Sequence, residues 1–465
     1  MFLSRTGLTR LLLLLALIWY RSGRVVKNSI LNRSEFPRGY VAGGNYATDC
    51  AVARNPADAR GESLSACEDE TFWELHDALG RVVERPVIAT CDPHRRTWNT
   101  VMGPLRDPNP LGGLWLYAHG APTTTGGGRT AAPRILAPDV TPNRAHRIAL
   151  VGYPEGHDFH PLGAAVWPSY EGNASSLYVV NHARARTVIE QFTISPARPL
   201  EAHHVRTISS RFFVSPNALA LTSPDAFYVT NDHLITRRWP IIGHFLPIIE
   251  TLFALPLGFI SHVTLTPPGG SRDIARHTFA KLFLPLPNGI SVNAVGNRLA
   301  VSSSSLAQVY VYARDAATDR LPQLLNTVPL PFTPDNLHYS RARSTGIENI
   351  VVAGHPHFPS LTAVGANKTG AAAPSWVMAI IPKIENGAKP ATVFDTDAPI
   401  SASSKLPSDG ARWTLQTLFQ SDGVESAGGF GSSCTGLFDP DTGNLYVTGL
   451  YAEGGMMVCK PNEKK

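Results

Sequence analysis

Short apolar runs, each closing on polar side chains, recur along this chain between turns rich in proline, glycine and asparagine. Leu177-Tyr178-Val179-Val180 closes on Asn181 and His182, and Phe227-Tyr228-Val229 on Thr230, Asn231 and Asp232. Leu299-Ala300-Val301 closes on Ser302, Ser303 and Ser304, Val351-Val352-Ala353 on Gly354 and His355, and Leu445-Tyr446-Val447 on Thr448, Gly449 and Leu450. Each run follows an oxygen-rich turn that opens an earlier strand. The turns are Phe159-His160-Pro161-Leu162-Gly163, Ser215-Pro216-Asn217, Leu286-Pro287-Asn288, Thr333-Pro334-Asp335-Asn336 and Ser432-Ser433-Cys434-Thr435-Gly436. Runs this short, rich in β-branched and aromatic residues and bounded by turn formers, read as strands. One unit is therefore reused: polar turn, inner strand, turn, second strand.

Repeats of this size built from short strands predict an all-β chain folded as a six-bladed β-propeller. Later units are expected at about 145–200, 205–285, 286–330, 333–385 and 410–460. Residues 45–100 form a divergent first unit around the acidic knot Cys67-Glu68-Asp69-Glu70. Residues 119–135, 366–375 and 395–411 read as loops or linkers. In such a ring, equivalent turn positions converge on one end of a central channel.

Two stretches depart from the strand pattern. Residues 8–20 follow Arg5 and precede Arg21; apart from Thr9 and Arg10 they are apolar, a core shorter than the roughly 20 residues that span a bilayer. They predict a signal peptide or signal-anchor over 1–27, with residues 28–465 as a single propeller domain. Residues 239–261 form an apolar insertion broken by Pro240, Pro247 and Pro256, with Glu250 its one charge. A surface lid or a helix lying in a membrane interface fits it, as does an ordinary buried helix between blades.

Composition changes the picture in two places. The 465 residues are 43% hydrophobic and 17% charged, with a formal net charge of +5, so a large core is available. No basic stripe interleaves with aromatics, and nucleic-acid binding has no support. The five cysteines are odd in number, so at least one is free or pairs between chains. In a propeller the chain ends meet in one blade, which predicts a closing bridge Cys50–Cys459. Cys67 and Cys91 offer a second bridge; the alternative is buried free thiols. Sequons at Asn32, Asn173 and Asn367 suit a secretory route, to a secreted or membrane-anchored destination on the luminal or extracellular side.

The turn residues carry the candidate chemistry. Glu68, Asn217, Asn288, Asp335 and Asn336 would supply carboxylate and amide oxygens to one end of the channel, with no sulfur. Calcium takes about six to eight such oxygens, whereas zinc prefers nitrogen and sulfur. Taken singly, each Pro-Asn is an ordinary turn; recurrence in successive units makes a site. The second-strand ends put His182, Asp232, Ser304, His355 and Leu450 at one equivalent position, where a histidine can act as general base. Alternation along the strand predicts that His233 faces away.

The stretches SPNALALTSPDAFYVTNDH, LPNGISV, PDNL, VAGHP and VVNH resemble the serum paraoxonase/arylesterase family, in its order and with similar spacing, from about Cys50 to Cys459. The resemblance implies calcium-dependent hydrolysis of aryl esters and lactones on a six-bladed propeller, two stacked calcium ions, and a disulfide joining the chain ends. It implies Glu68, Asn217, Asn288, Asp335 and Asn336 as ligands of the catalytic ion, His182 and His355 as active-site histidines, and a membrane-facing insertion. Two residues depart from the family pattern. Leu162 stands where the family has its other dyad histidine, with His160 two positions earlier as a candidate substitute. Ala218 replaces a carboxylate of the deeper ion, for which Asp69 and the Ala164 carbonyl remain, so that second site is expected to be weak or empty. The competing reading is a non-catalytic secreted propeller that keeps calcium as a structural pin.

Overall fold

The computed structural model describes residues 4–31, 35–43, 50–53, 64–106, 111–120, 135–341, 346, 348–382 and 412–461. Its architecture is all-β. Strands β1 (Cys67–Phe72), β2 (Pro161–Val166), β3 (Pro216–Ser223), β4 (Pro287–Val292), β5 (Thr333–Arg341) and β6 (Ser433–Asp439) pack side by side. The contacts run β1 on β2, β2 on β3, and so on to β6, which returns to β1, closing a ring. Each of these strands begins an antiparallel ladder running away from the ring. The ladders of β3 and β4 are separate four-stranded sheets, while those of β1 and β2 join through a parallel pairing of Ala145–Val151 with Arg198–Ile208.

The alternation of each strand decides where the core sits. Apolar faces of neighbouring ladders meet, as where Val351, Ala353 and Val377 of the β5 ladder pack against Phe438, Leu445 and Val447 of the β6 ladder. Each such buried valine, leucine or phenylalanine contributes about 1.5–3 kcal/mol relative to exposure. The β6 ladder is completed by the chain's own beginning. Cys50–Val52 pairs with Met456–Cys459, and the Cys50–Cys459 disulfide crosses that pairing. Cys67–Cys91 is the second bridge, and Cys434 is a buried free thiol. Because the closing bridge ties residues 409 apart, Cys50→Ser is expected to cost about 2–5 kcal/mol of stability. Denaturant unfolding under oxidising conditions checks this.

One local device recurs in the ring. The ladder skips between Cys67 and Asp69, Pro216 and Leu219, Pro287 and Ile290, Pro334 and Leu337, and Ser433 and Thr435. A bulge frees the extra residue from pairing and re-aims its side chain. Four of the bulges free Glu68, Asn217, Asn288 and the pair Asp335 and Asn336, and the fifth frees Cys434. Proline is tolerated here because it lies at or near the strand start. Gly163 and Gly289 let adjacent inner strands approach closely: a Cβ on Gly163 would sit 2.3 Å from the Asn217 carbonyl, and one on Gly289 2.5 Å from the Asn336 Cα.

The structure corrects three expected boundaries and the expected placement of His233. Trp413–Ser421 pairs with Ser375–Pro382, so it belongs to the β5 ladder, with Tyr40–Ala42 paired beyond it, rather than opening the last unit. Ala145–Val151 belongs to the first ladder, because it pairs with Gly113–Tyr117. The apolar insertion ends before residue 258, since Gly258–Leu265 is a ladder strand paired with Ala226–Asn231. Its helical part is a short turn at Ile242–His244 and helix α2 (Leu246–Leu252), which leaves Ile241, Phe245 and Ile248 exposed but buries Glu250. His233 lies beyond the end of its strand at Asn231, so strand alternation does not govern it.

At the N-terminus, Ser4 caps helix α1 (Arg5–Val25) by accepting from the Gly7 N–H, and Val26–Ile30 continue it as one π turn. Leu12, Leu13, Leu14 and Trp19 are exposed along α1. Among the described residues no helix is long and apolar enough to cross a membrane. Asn173 and Asn367 are exposed, and Asn32 lies outside the described residues.

Candidate functional site

The bulges and the second-strand ends open into one cavity of about 160 Å³ at an end of the strand ring. Glu68, Asn217, Asn288 and Asp335 line it, together with His160, Leu162, His182, Asp232, Ser304, His355 and Leu450. The sequence grouping is thus brought together from distant points of the chain. Asn336 lies beside it, its Nδ2 donating to Glu68 Oε1 at 3.1 Å and to Thr435 Oγ1 at 3.0 Å.

Four oxygens of this set are buried without a partner: Glu68 Oε2, Asn217 Oδ1, Asn288 Oδ1 and Asn336 Oδ1. A buried polar group left unpaired is costly, so their gathering at one place marks a site for a ligand that accepts oxygen donors. Burial, then the negative charges of Asp69 and Asp335, push the Glu68 carboxyl well above the ordinary range. Among the described residues no group of three or more His, Cys, Asp or Glu side chains is placed to hold a metal. The ring instead combines two carboxylates with three asparagine amides, an all-oxygen set that suits calcium.

The deeper position is built differently. Asp69 Oδ2 accepts from the Ala164 N–H at 2.9 Å, and Oδ1 accepts from the Glu70 N–H at 2.9 Å and from Thr435 at 3.1 Å. His338 Nε2 lies 3.6 Å from the same Oδ1. Ala218 packs among Ala220, Tyr228 and Ile290. Both carboxylate oxygens of Asp69 therefore already accept hydrogen bonds from the protein.

The histidines differ in what they can do. His182 uses both ring nitrogens. Nε2 donates to the Pro216 carbonyl at 2.7 Å, and Nδ1 accepts from the Thr100 hydroxyl at 2.5 Å. Burial pulls its pKa down to about 4, so the ring is neutral. His355 Nε2 lies 3.0 Å from Asp335 Oδ2, and its Nδ1 has no partner. His160 stands beside Leu162 in the cavity wall. Its Nδ1 lies 2.8 Å from Asp92 Oδ2, and its Nε2 makes no hydrogen bond, with Asp158 Oδ2 3.5 Å away. Burial alone would lower the His160 pKa, but the Asp158 and Asp92 carboxylates outweigh it and hold it above the ordinary value. Burial would conversely raise Asp92, and His160 with Arg95 holds it low.

His233, expected to face away, also lines the cavity, with Nδ1 3.2 Å from Asp232 Oδ1 and Nε2 2.8 Å from Thr251 of α2. Sequence reasoning missed Asp92, Arg95, Trp98 and Thr100, which all line the cavity from one segment of the first unit. Arg95 is fixed by the Ala66 and Pro161 carbonyls, and Trp98 donates to the His182 carbonyl. The Cys91-Asp92-Pro93-His94 turn carries no repeat signature that would have singled it out.

The arylesterase family model matches residues 128–412, which contain the ring strands β2 to β5. The chain belongs to the arylesterase family. Serum paraoxonase/lactonase 3 of Rattus norvegicus is 32% identical over 80 residues, 17% of this chain and 21% of that protein. Serum paraoxonase/arylesterase 1 of Homo sapiens is 26% identical over 159 residues, 34% of this chain and 40% of that protein. The arylesterase-family chain thus aligns with less than half the length of either relative. Among solved structures, a gluconolactonase from Xanthomonas campestris is 12% identical with a TM-score of 0.37, covering 93% of this chain and 100% of that one. The PQQ domain of a pyranose dehydrogenase from Coprinopsis cinerea is 11% identical with a TM-score of 0.44, covering 93% and 98%.

Proposed function

We propose that this arylesterase-family chain is a calcium-dependent hydrolase of esters and lactones, built on a six-bladed β-propeller. The observation that carries the reading is the set of buried, unpartnered oxygens from β1, β3, β4 and β5 beside His160. Glu68, Asn217, Asn288, Asp335 and Asn336 would hold the ion, which when bound polarises the substrate carbonyl and offsets the charge developing on its oxygen.

The chain's own residues supply the rest. Asp92 accepts from His160 Nδ1–H, which leaves the Nε2 lone pair free to take a proton from the attacking water. As the carbon–oxygen bond to the leaving group breaks, the same nitrogen returns that proton to the departing oxygen. His160 thereby does the work expected of a histidine at position 162. His355 braces Asp335, and His182, held by Thr100 and Pro216, keeps the wall beside Asn217 in place. Trp98, Val101 and Leu286 keep bulk water from the reacting atoms.

The competing reading, a non-catalytic calcium-binding propeller, is favoured by one fact: His182, a dyad position by resemblance, has no nitrogen to offer. Elemental analysis paired with turnover separates the two. The expected result is one calcium per chain, with hydrolysis of phenyl acetate or a γ- or δ-lactone that chelator abolishes and calcium restores. Calcium-dependent melting without turnover would establish the non-catalytic reading, and full activity in chelator would end the metal-centred one. Two disulfides support a secretory route, with residues 1–27 as leader or anchor, Asn173 and Asn367 as glycosylation positions, and residues 28–465 as one domain. The exposed apolar faces of α1 and the insertion suit contact with a membrane surface.

A further inference from the structure

The cavity is lined by polar groups from the ring strands and by apolar side chains, some of which come from the end of the N-terminal helix. Val25, Val26 and Ile30 line the cavity although they lie far in sequence from every ring strand. Their spacing follows from the π turn. The Leu31 N–H bonds the Val26 carbonyl at 2.8 Å, five residues back, which sets Val25 and Val26 about one wide turn from Ile30, on the same side. The other side of the turn is buried through Asn28 and Ser29. Arg21 fixes the helix end by donating to the Ala254 carbonyl just beyond α2. Leu252 of α2 and Phe358 and Leu361 of α3 (Phe358–Gly365) continue the same wall.

We propose that the π turn Val26–Ile30, with Val25, is the specificity wall of the catalytic cavity and takes the aliphatic tail of the substrate. The inference rests on the ester and lactone reading and adds to it the residues that select among substrates. The charged and amide groups stand at the strand ends, so the carbonyl goes there and the tail points toward the N-terminal segment. The expected boundary at residue 27 runs through this wall: Val25 and Val26 belong to the cavity as much as any ring residue does.

The test uses the full chain with Val26→Trp and Ile30→Trp, and Leu12→Trp on the exposed part of α1 as control. Two measurements are made across one range of tail lengths. The first is kcat/KM on γ-lactones with tails from methyl to octyl. The second, independent of turnover, is calorimetric binding of 2-alkylcyclopentanones carrying the same tails. In the wild type both should rise by up to about fourfold per methylene. Val26→Trp and Ile30→Trp should cut the longest tails at least tenfold and the shortest less than twofold, and Leu12→Trp should change neither. Unaltered tail-length profiles in both wall variants, or a wild type that binds none of the ketones, would overturn the wall. A length-dependent loss in ketone binding without any lactone turnover keeps the wall and removes the hydrolase reading. Should the tryptophan variants not fold, Ile30→Ala decides: long-tail binding falls several-fold with short tails unchanged, or the proposal is wrong.

Discussion

Asn288→Ala is expected to lower ester and lactone turnover roughly 10²–10³-fold and to abolish the rise in melting temperature that calcium gives the wild-type chain. Asn288 sits at a bulge where the backbone skips from Pro287 to Ile290, and its Oδ1 is buried with no partner. Removing that oxygen takes one donor from a ring in which Glu68 and Asp335 supply the only carboxylates. The remaining Asn217 and Asn336 amides would lose the geometry that holds the carbonyl-polarising charge in place. Folding should survive, because truncation relieves an unsatisfied buried acceptor rather than creating one. Turnover, calcium content and melting with and without calcium are measured on the same preparation. A variant that keeps its turnover and its calcium-dependent melting would show that the oxygen ring is not the site.

The ring was legible in the sequence because it is written in a repeat. Pro216-Asn217, Pro287-Asn288 and Pro334-Asp335-Asn336 mark bulges at the same place in successive ladders, and a bulge is a local event. Closure was legible for a similar reason, since Cys50 and Cys459 stand at the ends of the repeats. The pairing of Asp92 with His160 was not legible in the same way. Asp92 reaches His160 across 68 residues of sequence, from a turn in the divergent first unit. The fourth strand of the β5 ladder was hidden too, because residues 383–411 intervene between Ser375–Pro382 and Trp413–Ser421, and spacing assigned the later strand to the next unit. Val25, Val26 and Ile30 escaped for another reason. An apolar run at a chain start reads as a targeting segment, and nothing in the run says where its last turn docks. Periodicity finds what each unit does alone; it does not find what one segment contributes to another's site.

Asp92→Asn is expected to lower kcat about 10²–10⁴-fold with little change in KM, and to move the pH dependence of what remains. With His160 as the proposed base, Nε2 must be unprotonated, so activity should rise with pH through a value above the ordinary histidine range of about 6.5. That elevation stands against the downward pull of burial, and the Asp158 and Asp92 carboxylates produce it. The amide removes one of those charges, so the inflection shifts to lower pH, and His160→Gln removes the inflection altogether. Stability moves the opposite way. His160 has a raised folded pKa, so its contribution is complete below about 6.5 and is lost as pH climbs through the raised value. Asp92 has a depressed folded pKa, so its contribution is present above the ordinary carboxylate value of about 3.9 and is lost as pH falls through the depressed one. The melting-temperature gap between wild type and Asp92→Asn should therefore be widest between roughly pH 4 and 6.5 and narrow toward alkaline pH, where turnover is highest. An inflection that stays in place in Asp92→Asn, with kcat intact, would detach His160 from the chemistry and point to another cavity histidine, such as His355 through its unpartnered Nδ1.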